Sequence, residues 1–110
     1  MKKALALFLV GILLSTSAFA QGAGTGTWTR LKGDYMMAVS RKAYEQANSY
    51  IFAGDTQAWL RMQEAELVGM SKEGLEVYVV NLHPFGGNAE VRPRGTTHVF
   101  WVNKEAIGWK

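Results

Sequence analysis

The chain has 110 residues, with 12 Lys and Arg against 9 Asp and Glu for a formal charge of +3, and no cysteine. A chain of this length builds one domain, and without thiols it has neither disulfide staples nor lipid attachment through cysteine. The charge surplus is too small to mark a nucleic-acid-binding protein.

Met1-Lys2-Lys3 is followed by an apolar run from Ala4 to Leu14, then Ser15-Thr16-Ser17 and Ala18-Phe19-Ala20. A basic start, a short apolar segment and small residues at the third and first positions before a cut describe a secretory signal peptide spanning 1–20, cleaved after Ala20. The run falls short of the roughly 20 apolar residues a spanning helix needs, so the expectation is no stable membrane insertion after cleavage. Since Lys2 and Lys3 leave with the leader, ten basic and nine acidic residues remain, for a charge of +1. The expected location is periplasmic or secreted.

Residues 21–27 are glycine-rich with little apolar side chain to bury, which predicts a flexible lead, and Trp28 is expected to end it by docking. The single globular domain is then 28–110, with a helical part over 28–66 and a β part over 66–110. Gly33-Asp34 is a turn signal, and Tyr35 to Val39 reads either as a short extended segment or as the approach to a helix. Ser40 is placed as an N-cap, with a helix from Arg41 to Ala53 and Gly54 ending it. Its apolar stripe is Ala43, Tyr44, Ala47, Tyr50 and Ile51. Asp55 caps a second helix from Thr56 to about Glu66, with Trp59, Met62, Ala58 and Ala65 turned inward.

Glu66 to Met70 serves as a first strand, and Ser71 to Gly74 as a turn. The β-branched and aromatic runs Leu75 to Leu82 and His98 to Asn103 predict strands, with a shorter one at Ala89 to Pro93 between two turns. Alternation sets Val77 and Val79 against Glu76, Tyr78 and Val80, and sets Val99 and Trp101 against His98, Phe100 and Val102. Apolar groups on both faces favour a small closed barrel over a sheet with one wet side.

A turn ending in Gly74, the apolar strand Val77 to Val80, the loop glycines Gly86 and Gly87, Val91-Arg92, Gly95, Trp101-Val102 and the closing Glu105-Ala106-Ile107 together resemble bacterial SH3-like domains. The resemblance covers about Glu66 to Trp109. It implies a five-stranded barrel closed by a short helical turn at Lys104 to Ile107, used outside the cytoplasm to bind cell-wall or protein ligands. The expected architecture is therefore α+β, with two N-terminal helices packed on a small SH3-like β-barrel.

Catalytic constellations are sparse. Ser40, Ser49 and Ser71 each have an ordinary local role as cap, helix surface or turn, and no G-x-S-x-G context exists. His83, His98 and Glu90 would make a zinc site only if the strand ends brought them together. As a loop residue and a strand-surface residue, the histidines have simpler readings. Glu64, Glu66, Glu73 and Glu76 read as a solvated helix end and turn. No cofactor motif is present.

The constellation that points to recognition is Arg92 and Arg94 with Tyr78, Phe85 and Trp101, joined by His83 in the loop Leu82 to Asn88. Arginine offers a planar fork to carboxylates, and flat aromatic rings offer contact area at low entropic cost. The competing reading makes Trp101 a core residue and the arginines charges that guard an exposed strand edge. The functional expectation is an exported, non-enzymatic binding module of the bacterial envelope whose partner is an envelope protein or peptidoglycan, with no nucleic acid. The alternative is a small secreted inhibitor, immunity or exclusion protein acting on a partner protein in the periplasm. The sequence leaves the oligomeric state open.

Overall fold

The computed structural model describes residues 23–109, so the leader expected at 1–20 lies outside the described residues. The strands are β1 (Trp28–Arg30), β2 (Met36–Ala38), β3 (Val68–Met70), β4 (Glu76–His83), β5 (Asn88–Pro93) and β6 (Phe100–Asn103). Two helices, α1 (Arg41–Ala53) and α2 (Thr56–Glu64), lie between β2 and β3, and a 3-10 turn over Lys104–Ile107 comes after β6.

The strands form one six-stranded sheet in the order β1-β4-β5-β6-β2-β3. Every pairing is antiparallel. This corrects the sequence-based architecture twice. The sheet is open, with β1 and β3 as its two edges, and is not a small barrel. The helices come after β1 and β2 instead of preceding the β region.

Apolar residues on both sheet faces have a different cause from barrel closure. Each face carries its own core. On one face Val77, Val79, Ala89, Val91 and Val102 pack with Leu31, Ala106 and Ile107. On the other, Ala38 and Val68 pack with Ala43, Tyr44 and Ala47 of α1 and Met62 of α2. The strand alternation of Val77 and Val79 therefore holds, but among the described residues the opposite face is covered by helices only at the β6-β2-β3 end.

A register shift between Val79 and Asn81 inserts Val80 as an extra residue. A bulge of this kind reverses the facing of the residues beyond it on the strand. Leu82, paired with Ala89, returns to the same core as Val77 and Val79, while Val80 is left exposed.

Local chemistry sets the helix limits. Ser40 Oγ accepts from the Ala43 N–H and Asp55 Oδ1 from the Ala58 N–H, which satisfies donors that a helix start leaves unpaired. Gly54 ends α1 at φ 72°, a left-handed conformation that glycine adopts without a Cβ penalty. Ala43, Tyr44 and Ala47 are buried as expected, but Ile51 is 53% exposed. α2 stops at Glu64, and Ala65 is exposed.

The stretch read as a flexible lead is docked from Ala23 onward. Ala23 donates its N–H to the Ile107 carbonyl, and Gly26 donates to Val79. The Ala23 carbonyl also accepts from Trp109 Nε1 at 2.8 Å. The backbone carries these contacts, so the glycine content that predicts freedom does not prevent them.

Tyr44 supplies a pH test of the helix core. Burial of its phenol pushes the pKa above the ordinary value of 10.0, opposed by a hydrogen bond to Asn48. Because the raised pKa belongs to the folded state, the stability tied to the neutral phenol is complete below about pH 10 and is lost as pH climbs through the folded value. Urea midpoints taken from about pH 8 to about pH 11 are expected to fall more steeply for the wild type than for Tyr44→Phe. Parallel curves would mean that Tyr44 ionises without resistance from the core.

Candidate functional site

The bare half of the helix-side face, over β1, β4 and β5, is built from cross-strand rows. Trp28 pairs with Tyr78, and Tyr78 with Arg92. Arg30 pairs with Glu76, and the Arg94 N–H donates to the Glu76 carbonyl just beyond the end of β5. Residues two apart on a strand share a face, so these two rows stand side by side.

Within them the guanidinium carbon of Arg94 lies 4.3 Å from the Trp28 ring centre. That of Arg92 lies 5.3 Å from Tyr78 and 5.7 Å from Trp28. Trp28 and Tyr78 meet edge to face at 5.5 Å, a favoured aromatic geometry. Each guanidinium over a ring contributes about 0.5–1 kcal/mol at an exposed site. The rings thus hold two planar forks in fixed positions before any ligand arrives.

One carboxylate sits among these cations. Glu76 Oε1 is 3.4 Å from Arg94 Nε, and Oε2 is 3.9 Å from Arg30 Nη2, with only 15% of the Glu76 side chain exposed. Both are ion-pair separations and longer than strong charge-assisted hydrogen bonds. The sequence reading of Glu76 as a solvated turn residue is corrected here: the strand pairing sinks it between arginines. Arg30 and Arg94 flank this carboxylate, and with Arg92 over the neighbouring rings the patch carries three guanidiniums against one carboxylate.

The other expected site residues gather elsewhere on the same face. His83 Nε2 is 2.7 Å from Glu90 Oε2, and the His83 ring stacks on Trp101 at 5.2 Å and 5°. Trp101 pairs with Glu90 across β5 and β6 and packs against the helix core, so it sits where the helix cover ends. Phe85 is fully exposed at 107% in the loop between β4 and β5. Arg92, Arg94 and Tyr78 therefore form one group, and His83, Phe85 and Trp101 another.

His83 and Glu90 meet, but His98 does not join them. Its Nε2 lies 3.3 Å from the Val39 carbonyl, with its ring on Phe100. Among the described residues no group of three or more His, Asp or Glu is placed to hold a metal ion. Nor is any helix among them long and apolar enough to cross a membrane.

Trp28, Arg30 and Glu76 were missed as site residues by sequence reading. Their positions depend on β1 pairing with β4, two strands separated by both helices in the chain. Comparison with family models, curated proteins and solved structures gives no match.

Proposed function

We propose that the protein is an exported, non-enzymatic binding module of the bacterial envelope, and that the Trp28-Tyr78-Arg92-Arg94 patch receives carboxylate groups of an envelope protein or of the cell wall. The stacking of Arg92 and Arg94 on aromatic rings carries this reading. Side chains already fixed in place lose little further freedom on binding, and a guanidinium fork matches a carboxylate edge to edge. Export rests on the leader-like pattern of Met1 to Ala20. The reading as a binder rests also on a sequence in which each serine and histidine has an ordinary local role.

Co-sedimentation of the purified protein with isolated cell-wall sacculi tests the reading. The expected result is pelleting at low salt and release as salt rises, because attraction between exposed charges is screened over about 10 Å at 0.1 M. Protein that stays in solution at low salt would exclude the wall polymer. A tight complex with one envelope enzyme would instead identify a protein partner and an inhibitory role.

A further inference from the structure

The arginine patch continues into a line of charge along one strand. On β5, Ala89, Val91 and Pro93 are buried, while Glu90 and Arg92 between them are only partly so, the alternation of a strand with one face on a core. Arg94, just beyond the strand end, joins Arg92 over the Trp28 ring. Glu90, Arg92 and Arg94 therefore follow one another on the bare face, at the interval of about 6.6 Å that separates alternate residues of a strand. Read along that face, the charges run negative, positive, positive.

Each charge is held in place. The guanidinium carbons of Arg92 and Arg94 lie 5.7 and 4.3 Å from one point, the centre of the Trp28 ring. Glu90 Oε2 is 2.7 Å from His83 Nε2, and the His83 ring is itself stacked on Trp101. A partner that matches fixed charges at this interval has to carry its own at the same interval. An extended polypeptide does so, because its alternate side chains also project to one side about 6.6 Å apart. A run of acids alone does not, since its third carboxylate would meet Glu90, and like charges set opposite each other are unfavourable.

We infer that the patch binds an extended protein segment in which two acidic residues and one basic residue alternate with others, acid-x-acid-x-base in either chain direction, the acids on Arg94 and Arg92 and the base on Glu90. This rests on the reading of the patch as a carboxylate site, and it narrows the partner to a protein segment with a defined charge order. Glu90 is then the specificity-determining residue. It discriminates by opposing a third acid as much as by receiving a base.

The test is a titration of the purified protein with capped pentapeptides, followed by the side-chain Nε–H resonances of Arg92 and Arg94. The probes are acetyl-Glu-Thr-Glu-Thr-Lys-amide, the same sequence reversed, acetyl-Glu-Glu-Thr-Thr-Lys-amide of identical composition, and acetyl-Glu-Thr-Glu-Thr-Glu-amide. One of the two alternating acid-acid-base peptides is expected to bind and to shift both arginine signals. The peptide with adjacent acids and the all-acidic peptide are each expected to bind about threefold to fivefold more weakly, the worth of one exposed ion pair. Arg92→Gln should bring the alternating peptide down to the level of the adjacent one, Glu90→Gln should erase the penalty on the all-acidic peptide, and Arg41→Gln, on α1, should change nothing. Equal binding of all four peptides, or no saturable shift with any of them up to about 10 mM, would overturn the inference. If sacculi attachment is nonetheless lost on Arg92→Glu, the patch remains a carboxylate site for the wall and only the charge order falls; if attachment survives that substitution as well, both readings fall.

Discussion

Replacing Ile107 by alanine is expected to destabilise the protein by about 2–5 kcal/mol. The residue is completely buried, packed with Val77, Val79, Val91 and Val102. The 3-10 turn that carries it is capped by Asn103, whose Oδ1 accepts from the Glu105 N–H at 2.8 Å. The backbone there is pinned as well, because Ala106 and Ile107 carbonyls accept from Lys32 and Ala23. A site tied down on both sides collapses poorly around a deleted side chain, so the loss falls toward the upper part of that range. Small domains have about 5–15 kcal/mol in total, so thermal unfolding should drop by more than about 10 °C. Phe85→Ala and Phe52→Ala, at fully exposed and 89% exposed positions, are expected to stay within about 0.5 kcal/mol. A shift below about 1 kcal/mol for Ile107→Ala would show that the closing turn is not part of the core.

Arg92→Glu is expected to abolish attachment to the proposed acidic partner at a cost in stability of no more than about 1 kcal/mol, the worth of an exposed guanidinium over its rings. Arg92 contacts Trp28 and Tyr78 through ring faces and donates a long hydrogen bond to the Thr96 carbonyl, at 3.4 Å. The reversal replaces an attraction by a repulsion, which in a preformed site changes affinity by about a hundredfold or more, equivalent to about 2.7 kcal/mol. Arg94→Ala should behave differently. It lowers binding but also stability, because the largely buried Glu76 carboxylate then keeps Arg30 at 3.9 Å and loses the closer cation. Leaving a partly buried acceptor short of its cation costs about 1–3 kcal/mol. The two variants separate recognition from support: sedimentation with sacculi reads the first, urea unfolding the second. Equal stability losses in both would mean that the whole patch is structural.

The contrast between Arg92 and Arg94 shows how far the sequence reaches. Both arginines, with Tyr78, are singled out by residue type alone. Their distinct roles arise from the β1–β4–β5 pairing, which sets Trp28 beside Tyr78 and Arg30 beside Glu76. β1 and β2 have three residues each, too few to show a period, so nothing in the local pattern marks β1 as a strand, and the segment holding β2 reads equally as extended or as the approach to a helix. Without β1 there is no reason to place Trp28 in the patch. Grouping Phe85, His83 and Trp101 with the arginines comes from their closeness in sequence, whereas register separates them along the face.

Local chemistry alone determined the capped limits of α1 and the start of α2, where Ser40, Gly54 and Asp55 act within three residues of the backbone groups they satisfy or turn. It determined equally the alternation that buries Val77 and Val79, whereas the turn at Lys104–Ile107 is expected only from the resemblance to SH3-like domains. Only the tertiary structure decided that apolar groups on both faces mean two separate cores on an open sheet and that Glu76 is sunk between arginines. The physical reason is range. Caps, turns and alternation are set by interactions between near neighbours in the chain, whereas strand order and the covering of each face are set by contacts between distant segments, which many sequences of the same local pattern could arrange differently.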